Sequence, residues 1–481
     1  MNRKLVFNYL GKITASVGAL MLLPMLVAAI YGEYKPLFAF ALAAFISVGA
    51  GLLMCILLRP KSDLLYAKEG FAIVALAWIF MSVLGALPFV ISGEIPSFAD
   101  AFFETVSGFT TTGASILTDV EAMSKSLLFW RSFTHWVGGM GVLVFAMAIL
   151  PGLSDRSVHI MRAEMPGPMF GKLVPRARDT AKILYLIYIV LTFVQIVLLL
   201  AGGMSLFDSV IHSLGTAGTG GFGIKADSIG GYSPYIQWVI TIFMLIFGVN
   251  FNLYYYFLAK RSLAAFKSTE LFAYLGIVIA STAAICVNIF SIFGNFADAL
   301  RHSAFQVSTI ITTTGYATCD FNQWPDFSKA ILFILMFIGG CAGSTAGGLK
   351  VSRIVIAVKI ISCEIKRLLH PRSVSAVRLD GRTLEKTTLH GVTVYFAVFA
   401  LCYAVIFLLI SLEPFGFETN FTAVAACINN VGPGFALVSP AGSFAIYSGF
   451  SKFVLSFAML LGRLEVFPLL LTLLPQTWRK N

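Results

Sequence analysis

The chain has 481 residues, 58% of them hydrophobic and 12% charged, with a mean hydropathy of +0.87 and a formal net charge of +11. So few charges beside so much Leu, Ile, Val and Phe exclude a soluble globular protein and define a polytopic membrane protein. The positive balance is not a nucleic-acid footprint, because lysine and arginine gather in alternate loops, as they do on the cytoplasmic side of membrane proteins; no nucleic-acid partner is expected.

In chain order, two apolar spans come first, about Leu5–Tyr31 and Pro36–Leu58. Arg3 and Lys4 precede the first, which is long enough to cross and stay rather than be cleaved as a signal peptide. Arg59-Pro60-Lys61 marks the turn that closes this N-terminal pair, residues 1–62. From there one unit is used four times: a span, an apolar segment too short to cross, a Thr/Gly-rich loop, and a second span.

Repeat one (63–152) reads as a span from Gly70 to Ser92, a half-helix Phe98–Phe109 and a return Leu127–Leu150. Repeat two (181–262) reads as Ala181–Ala201, Leu206–Thr216 and Tyr235–Leu258. Repeat three (263–362) has Leu271–Phe293, Phe296–Ile311 and a long return from Phe327. Repeat four (387–481) has Leu389–Leu412, Phe421–Ile428 and Phe444–Leu474. Basic cytoplasmic loops, 153–180 and 363–386, separate repeats one and two and repeats three and four; they obey the positive-inside rule and also suit a cytoplasmic partner or anionic membrane lipids. The expected fold is all-α, two extra helices plus four span–pore-helix–span repeats, making ten crossings with both termini cytoplasmic. The seven cysteines lie singly, most inside apolar runs, and read as buried small hydrophobes.

The loops carry the chemistry. Thr312-Thr313-Thr314-Gly315-Tyr316 has a close counterpart at Thr110-Thr111-Thr112-Gly113-Ala114 and weaker ones at Gly218-Thr219-Gly220-Gly221-Phe222 and Asn429-Asn430-Val431-Gly432-Pro433-Gly434. A cation that sheds its water needs a ring of oxygens, and an extended backbone supplies carbonyls for it. Glycine reaches the dihedrals that turn those carbonyls inward. Such backbone is tolerated at membrane depth only inside protein or beside a wet cavity. Each half-helix ends at its loop, so its negative dipole end points at a bound cation. The expectation is one selectivity filter built by four loops around a common axis. In repeat two Gly218, Gly220, Gly221 and Gly223 compete for the filter position, and in repeat four Gly434 competes with Gly432.

Two further places break membrane rules. Gly339-Gly340-Cys341-Ala342-Gly343-Ser344-Thr345-Ala346-Gly347-Gly348-Leu349-Lys350 is too rich in glycine for a good helix and reads as a mobile gate below the filter; close helix packing is the competing explanation. Arg463 and Glu465 sit amid apolar sequence, where a charge needs a wet cavity or a partner. Arg463 suits the pore and Glu465 a structural pairing. His135, His212 and His302 are read as helix-end hydrogen-bonding groups. Glu94, Asp100, Glu104, Asp119, Glu121, Asp227, Asp320, Asp326 and Glu418 would make the outer face acidic and concentrate cations there.

These loops together with the CAGSTAGGLK segment resemble the TrkH family, membrane subunits of bacterial potassium uptake systems, within the superfamily that includes KtrB and the plant and fungal Trk/HKT transporters. The resemblance covers nearly the whole chain. It implies that Thr111, Thr112, Thr219, Gly220, Thr313, Thr314, Asn430 and Val431 offer atoms to a potassium ion, mostly main-chain carbonyls. Gly113, Gly221, Gly315 and Gly432 would be the filter glycines; glycine at the first of them is similar to potassium-selective members, whereas sodium-preferring plant relatives have serine. Gly343, Ser344, Thr345, Gly347, Gly348 and Lys350 would belong to the gating loop, with Arg463 as the pore arginine. It further implies a homodimer in the bacterial inner membrane and a cytoplasmic TrkA-type ring that senses nucleotide. The nucleotide site would be the ring's own, since this sequence has no phosphate-binding loop.

The function expected is potassium-selective uptake. A secondary transporter coupling potassium to protons or sodium is the alternative, whose mark would be ionisable residues within spans. An enzyme is not expected, for no HExxH, GxSxG or paired-carboxylate pattern appears.

Overall fold

The computed structural model describes residues 1–60, 66–141, 177–260, 267–372 and 376–479. These are helical almost throughout. Among the described residues six helices are long and apolar enough to cross a membrane: Arg3–Tyr31, Tyr34–Leu57, Ala67–Ser92, Asp179–Ala201, Thr269–Phe293 and Lys386–Ile410. They are the N-terminal pair and the first span of each repeat.

The return spans of repeats two and four differ from expectation, because each is interrupted, while that of repeat three breaks at the glycine-rich segment as expected. In repeat one the helix α1 (Lys125–Gly139) stops before Gly141, whose φ is 83°. The rest of the expected Leu127–Leu150 span, and nearly all of the basic loop 153–180, lie outside the described residues. In repeat two α2 (Pro234–Phe247) and α3 (Phe251–Lys260) meet at 87°. Gly248 ends the first, and Asn250 Oδ1 accepts from the Asn252 N–H (2.9 Å) to start the second. In repeat three α4 (Asp326–Ile338) and α5 (Val351–Leu369) are separated by the glycine-rich loop. In repeat four α6 (Gly449–Arg463) ends where Glu465 and Val466 take φ of 51° and 68°. A proline near the start of α7 (Phe467–Leu473) then restarts the helix. Glu465 is thus in a break, not two places along a helix from Arg463.

Between each pair of spans lies a short pore helix: Phe98–Phe109, Leu206–Gly218, Phe296–Ile311 and Phe417–Ile428. Ser97, Ser205 and Asn295 cap the first three, and Asp100, Asp208, Asp298 and Glu418 occupy the first turns, where an acid suits the positive helix end. The fourth begins at Phe417 rather than Phe421 because Gly416, at φ 85°, makes the turn into it.

Every pore helix packs against the return helix of the preceding repeat: the second on α1, the third on α2, the fourth on α4 and the first on α6. That order closes a ring and places the four pore helices around one centre. Beyond the glycine-rich loop α5 continues through Cys363–Leu369, a stretch expected as loop. Beyond it β1 (Arg378–Leu379) pairs antiparallel with β2 (Arg382–Thr383).

Candidate functional site

The four pore helices end in the same way. Thr111, Thr219, Thr313 and Asn430 have φ of 56°, 55°, 57° and 56°. Their N–H groups bond to the carbonyls of Gly108, Thr216, Ile310 and Cys427 at 3.0–3.2 Å. The N–H groups of the next residues, Thr112, Gly220, Thr314 and Val431, reach back to Ser107, Gly215, Thr309 and Ala426 at 2.8–2.9 Å. This double closure is a Schellman helix end whose left-handed residue is usually glycine. A side chain there costs about 1–2 kcal/mol, so the surrounding contacts must hold it. The glycines that follow, Gly113, Gly221, Gly315 and Gly432, have φ of 81°, 72°, 85° and 99°. One register therefore runs through all four loops, and Gly434 does not take the place of Gly432.

The loops touch in cyclic order. A Cβ built on Gly113 would lie 2.0 Å from the Gly220 oxygen, on Gly221 1.8 Å from that of Thr314, on Gly315 2.4 Å from that of Val431, and on Gly432 2.7 Å from that of Thr112. Each loop leaves room for no side chain between itself and the next. All four glycines line a single outer cavity of about 180 Å³.

Among the described residues its immediate lining carries no carboxylate: Arg131 and Lys225 are there, but no Asp or Glu. Glu104, expected on the outer face, is buried behind the first loop, where it pairs with Arg131 (2.8 Å) and accepts from the Ser115 hydroxyl and the Ile116 N–H (3.0 Å each). Arg131 Nη2 also donates to Ser115 (3.2 Å), and its guanidinium lies over the Phe222 ring. This ion pair braces loops one and two from outside the ring. His135 Nδ1 bonds to the Gly108 carbonyl (2.9 Å), and the ring abuts Gly220. Lys452 of α6 pairs with Asp100, fixing the last repeat on the first pore helix.

On the inner side the glycine-rich loop meets the left-handed residues. The Gly347 N–H donates to Thr313 Oγ1 (2.7 Å) and that of Gly348 to the Asn429 carbonyl (3.0 Å). Thr345 Oγ1 donates to the Phe247 carbonyl (3.2 Å), Ser344 Oγ to that of Cys341 (2.6 Å), and Lys350 Nζ to that of Ala346. Gly343 lies against Asn250 at the repeat-two break, and its carbonyl accepts from the Phe251 N–H (3.0 Å). Arg463 ties this layer together: Nη1 donates to the Thr345 carbonyl (2.8 Å) and to Thr111 Oγ1 (3.3 Å), Nη2 to the carbonyls of Gly138 and Gly139 (2.6 and 2.7 Å). Glu465 pairs with Arg353 of α5. One inner pocket is lined by Gly343, Ser344, Gly347, Gly348, Lys350 and Arg463 among others.

Sequence reading missed Glu104–Arg131, Arg353 and Glu270. Each is a charge inside or at the end of an apolar helix, and that isolation was the available signal.

A membrane chain with four re-entrant loops closed on one opening is a transport protein by architecture. The family model described as TrkH, cation transport protein, matches residues 35–276 and 271–479, and the chain belongs to that family. It is 38% identical over its full length, and theirs, to the Trk system potassium uptake proteins TrkH of Salmonella typhimurium and Escherichia coli K12. It is 34% identical to TrkG of E. coli K12, with 96% of each chain covered. The crystal structure of the potassium transporter TrkH from Vibrio parahaemolyticus superposes with a TM-score of 0.89 at 34% identity, covering all of both chains.

Proposed function

We propose that this chain takes up potassium across the bacterial inner membrane, both termini cytoplasmic, through a filter formed by Thr111–Gly113, Thr219–Gly221, Thr313–Gly315 and Asn430–Gly432. The ion gives up its water to oxygens of these segments, mostly carbonyls. The loop Gly339–Lys350, pinned by Arg463, closes the path below. A cytoplasmic nucleotide-sensing ring moves that loop, and the unit works as a homodimer. The observation that carries this reading is the cyclic glycine-to-carbonyl contact of four loops around one cavity, sealed on its inner side by one loop and one guanidinium. The potassium in the names of the relatives supports the choice of ion.

Coupled transport has one observation in its favour: Glu270, Lys350, Arg353 and Glu465 are all buried around the gate, more ionisable groups than an ungated pore needs. One experiment separates the two. Purified protein in liposomes should pass potassium down its gradient in preference to sodium. Flux that needs a proton or sodium gradient establishes coupling, and equal sodium and potassium flux overturns the filter.

A further inference from the structure

The glycine-rich loop is held at both ends by one carboxylate. Glu270, in the first turn of the helix Thr269–Phe293, accepts from the Ala342 N–H (2.7 Å) and the Ser352 N–H (3.1 Å) on the same oxygen, Oε1. The side chain is buried, and among the described residues no cationic group bonds to it. A buried carboxylate is costly unless hydrogen bonds satisfy it, and charge-assisted bonds from N–H groups are the stronger kind; Lys350 of the same loop and Arg353 attract it at longer range. The carboxylate is therefore best satisfied while the loop is in place, and it reinforces the direct bonds that join the loop's ends, from the Val351 N–H to the Gly340 carbonyl (3.0 Å) and from the Leu349 N–H to that of Phe337 (3.1 Å).

The preceding residue is tied to the cytoplasmic hairpin. The Thr269 N–H donates to Asp380 Oδ1 (2.7 Å) at the tip between β1 and β2, where Asp380 has φ 49°. Leu379 of β1 packs with Ile356 of α5 and Val392, and Lys359 Nζ donates to the Arg378 carbonyl (2.7 Å). The hairpin thus rests on the helix that leaves the loop and grips the helix that clamps it.

We propose that Glu270 is a positioning residue that clamps the loop in its closed place, and that the Thr269–Asp380 bond carries movement of the cytoplasmic hairpin to that clamp. The link from clamp to flux rests on reading Gly339–Lys350 as the gate.

Cys341, buried and next to Ala342, is a native reporter. In a chain whose other six cysteines are replaced, its modification by a charged methanethiosulfonate is timed, and rubidium uptake is measured in liposomes without partner. Glu270→Ala should speed modification about tenfold and raise uptake several-fold with the potassium-over-sodium preference unchanged, Glu270→Gln less so because an acceptor oxygen remains. Asp380→Ala should shift both in the same direction by less and add nothing to Glu270→Ala. An unchanged Cys341 rate in a Glu270→Ala protein with wild-type melting overturns the clamp. Additive effects in the pair overturn the hairpin route. Should Glu270→Ala not fold, Glu270→Gln and Asp380→Ala decide: an unchanged rate in the first overturns the clamp, and in the second the hairpin route. Faster modification with unchanged uptake leaves the clamp standing and overturns the gate reading.

Discussion

Asn430 donates its side-chain amide to Thr112 Oγ1 at 3.0 Å and to the Met459 carbonyl at 2.9 Å, joining the last loop to the first and both to the helix that ends in Arg463. The other three loops have threonine at this position, too short to make both bonds. Asn430→Ala should cost about 2–3 kcal/mol, the worth of two buried hydrogen bonds, and should weaken potassium discrimination. Asn430→Thr keeps the backbone type of the other loops and should lose less. Thermal melting and paired potassium and sodium fluxes measure both.

The space at the four loop glycines is graded, and on the proposed function selectivity should follow it. With only 1.8 Å at Gly221 and 2.0 Å at Gly113, against 2.4 Å at Gly315 and 2.7 Å at Gly432, serine substitutions should be most damaging at the first pair and mildest at Gly432. Gly113→Ser should reduce the preference for potassium over sodium by about tenfold, equivalent to about 1.4 kcal/mol. Unaltered preference in that variant would remove the glycine ring from the filter.

Arg463 donates to Thr111, Thr345, Gly138 and Gly139 across the inner layer. Bonds from a charged donor contribute about 1.5–3 kcal/mol each, so Arg463→Ala should raise basal rubidium flux by about tenfold or more without altering ion preference. A fall in flux would assign the guanidinium to folding rather than closure.

Removing one member of a buried ion pair leaves the other unpaired at a cost of about 3–5 kcal/mol. Arg131→Met should therefore destabilise the protein strongly, and Glu104→Gln combined with it should recover part of the loss. Detergent melting curves of the two single variants and the double variant give the coupling directly.

Outside the membrane spans, hydrogen bonds from Ser448 and Ser451 hold the Glu413 carboxyl below its ordinary value. A carboxylate lowered by folding adds stability above its unfolded pKa, and that stability is lost as pH falls through the folded value. The wild type should melt above Glu413→Gln at neutral pH, and the gap should close as pH drops below about 4.

Much of this was legible in the residues. The pore helices of repeats one and three began and ended where cap, first-turn acid and Thr-Gly stop indicated, because those signals are local. The breaks in the return helices of repeats two and four were hidden. Gly248-Val249-Asn250 and Leu464-Glu465-Val466 look like span interior, and only contact with the glycine-rich loop and the pore helices makes a bend at those points stable. Glu104 was assigned to the outer face because its partner, Arg131, is remote in sequence and adjacent only after the second loop has closed over both.

Four unlike copies in one chain allow what four identical subunits could not. A symmetric tetramer would bring four guanidiniums and four plugging loops to the same axis, where like charges repel and the bodies collide. On the function proposed above, the third copy supplies the plug, with Lys350 on it, and the fourth supplies the Arg463 guanidinium that holds it. On that reading, opening requires one side of the assembly to give way while the other three hold the ion's path in shape.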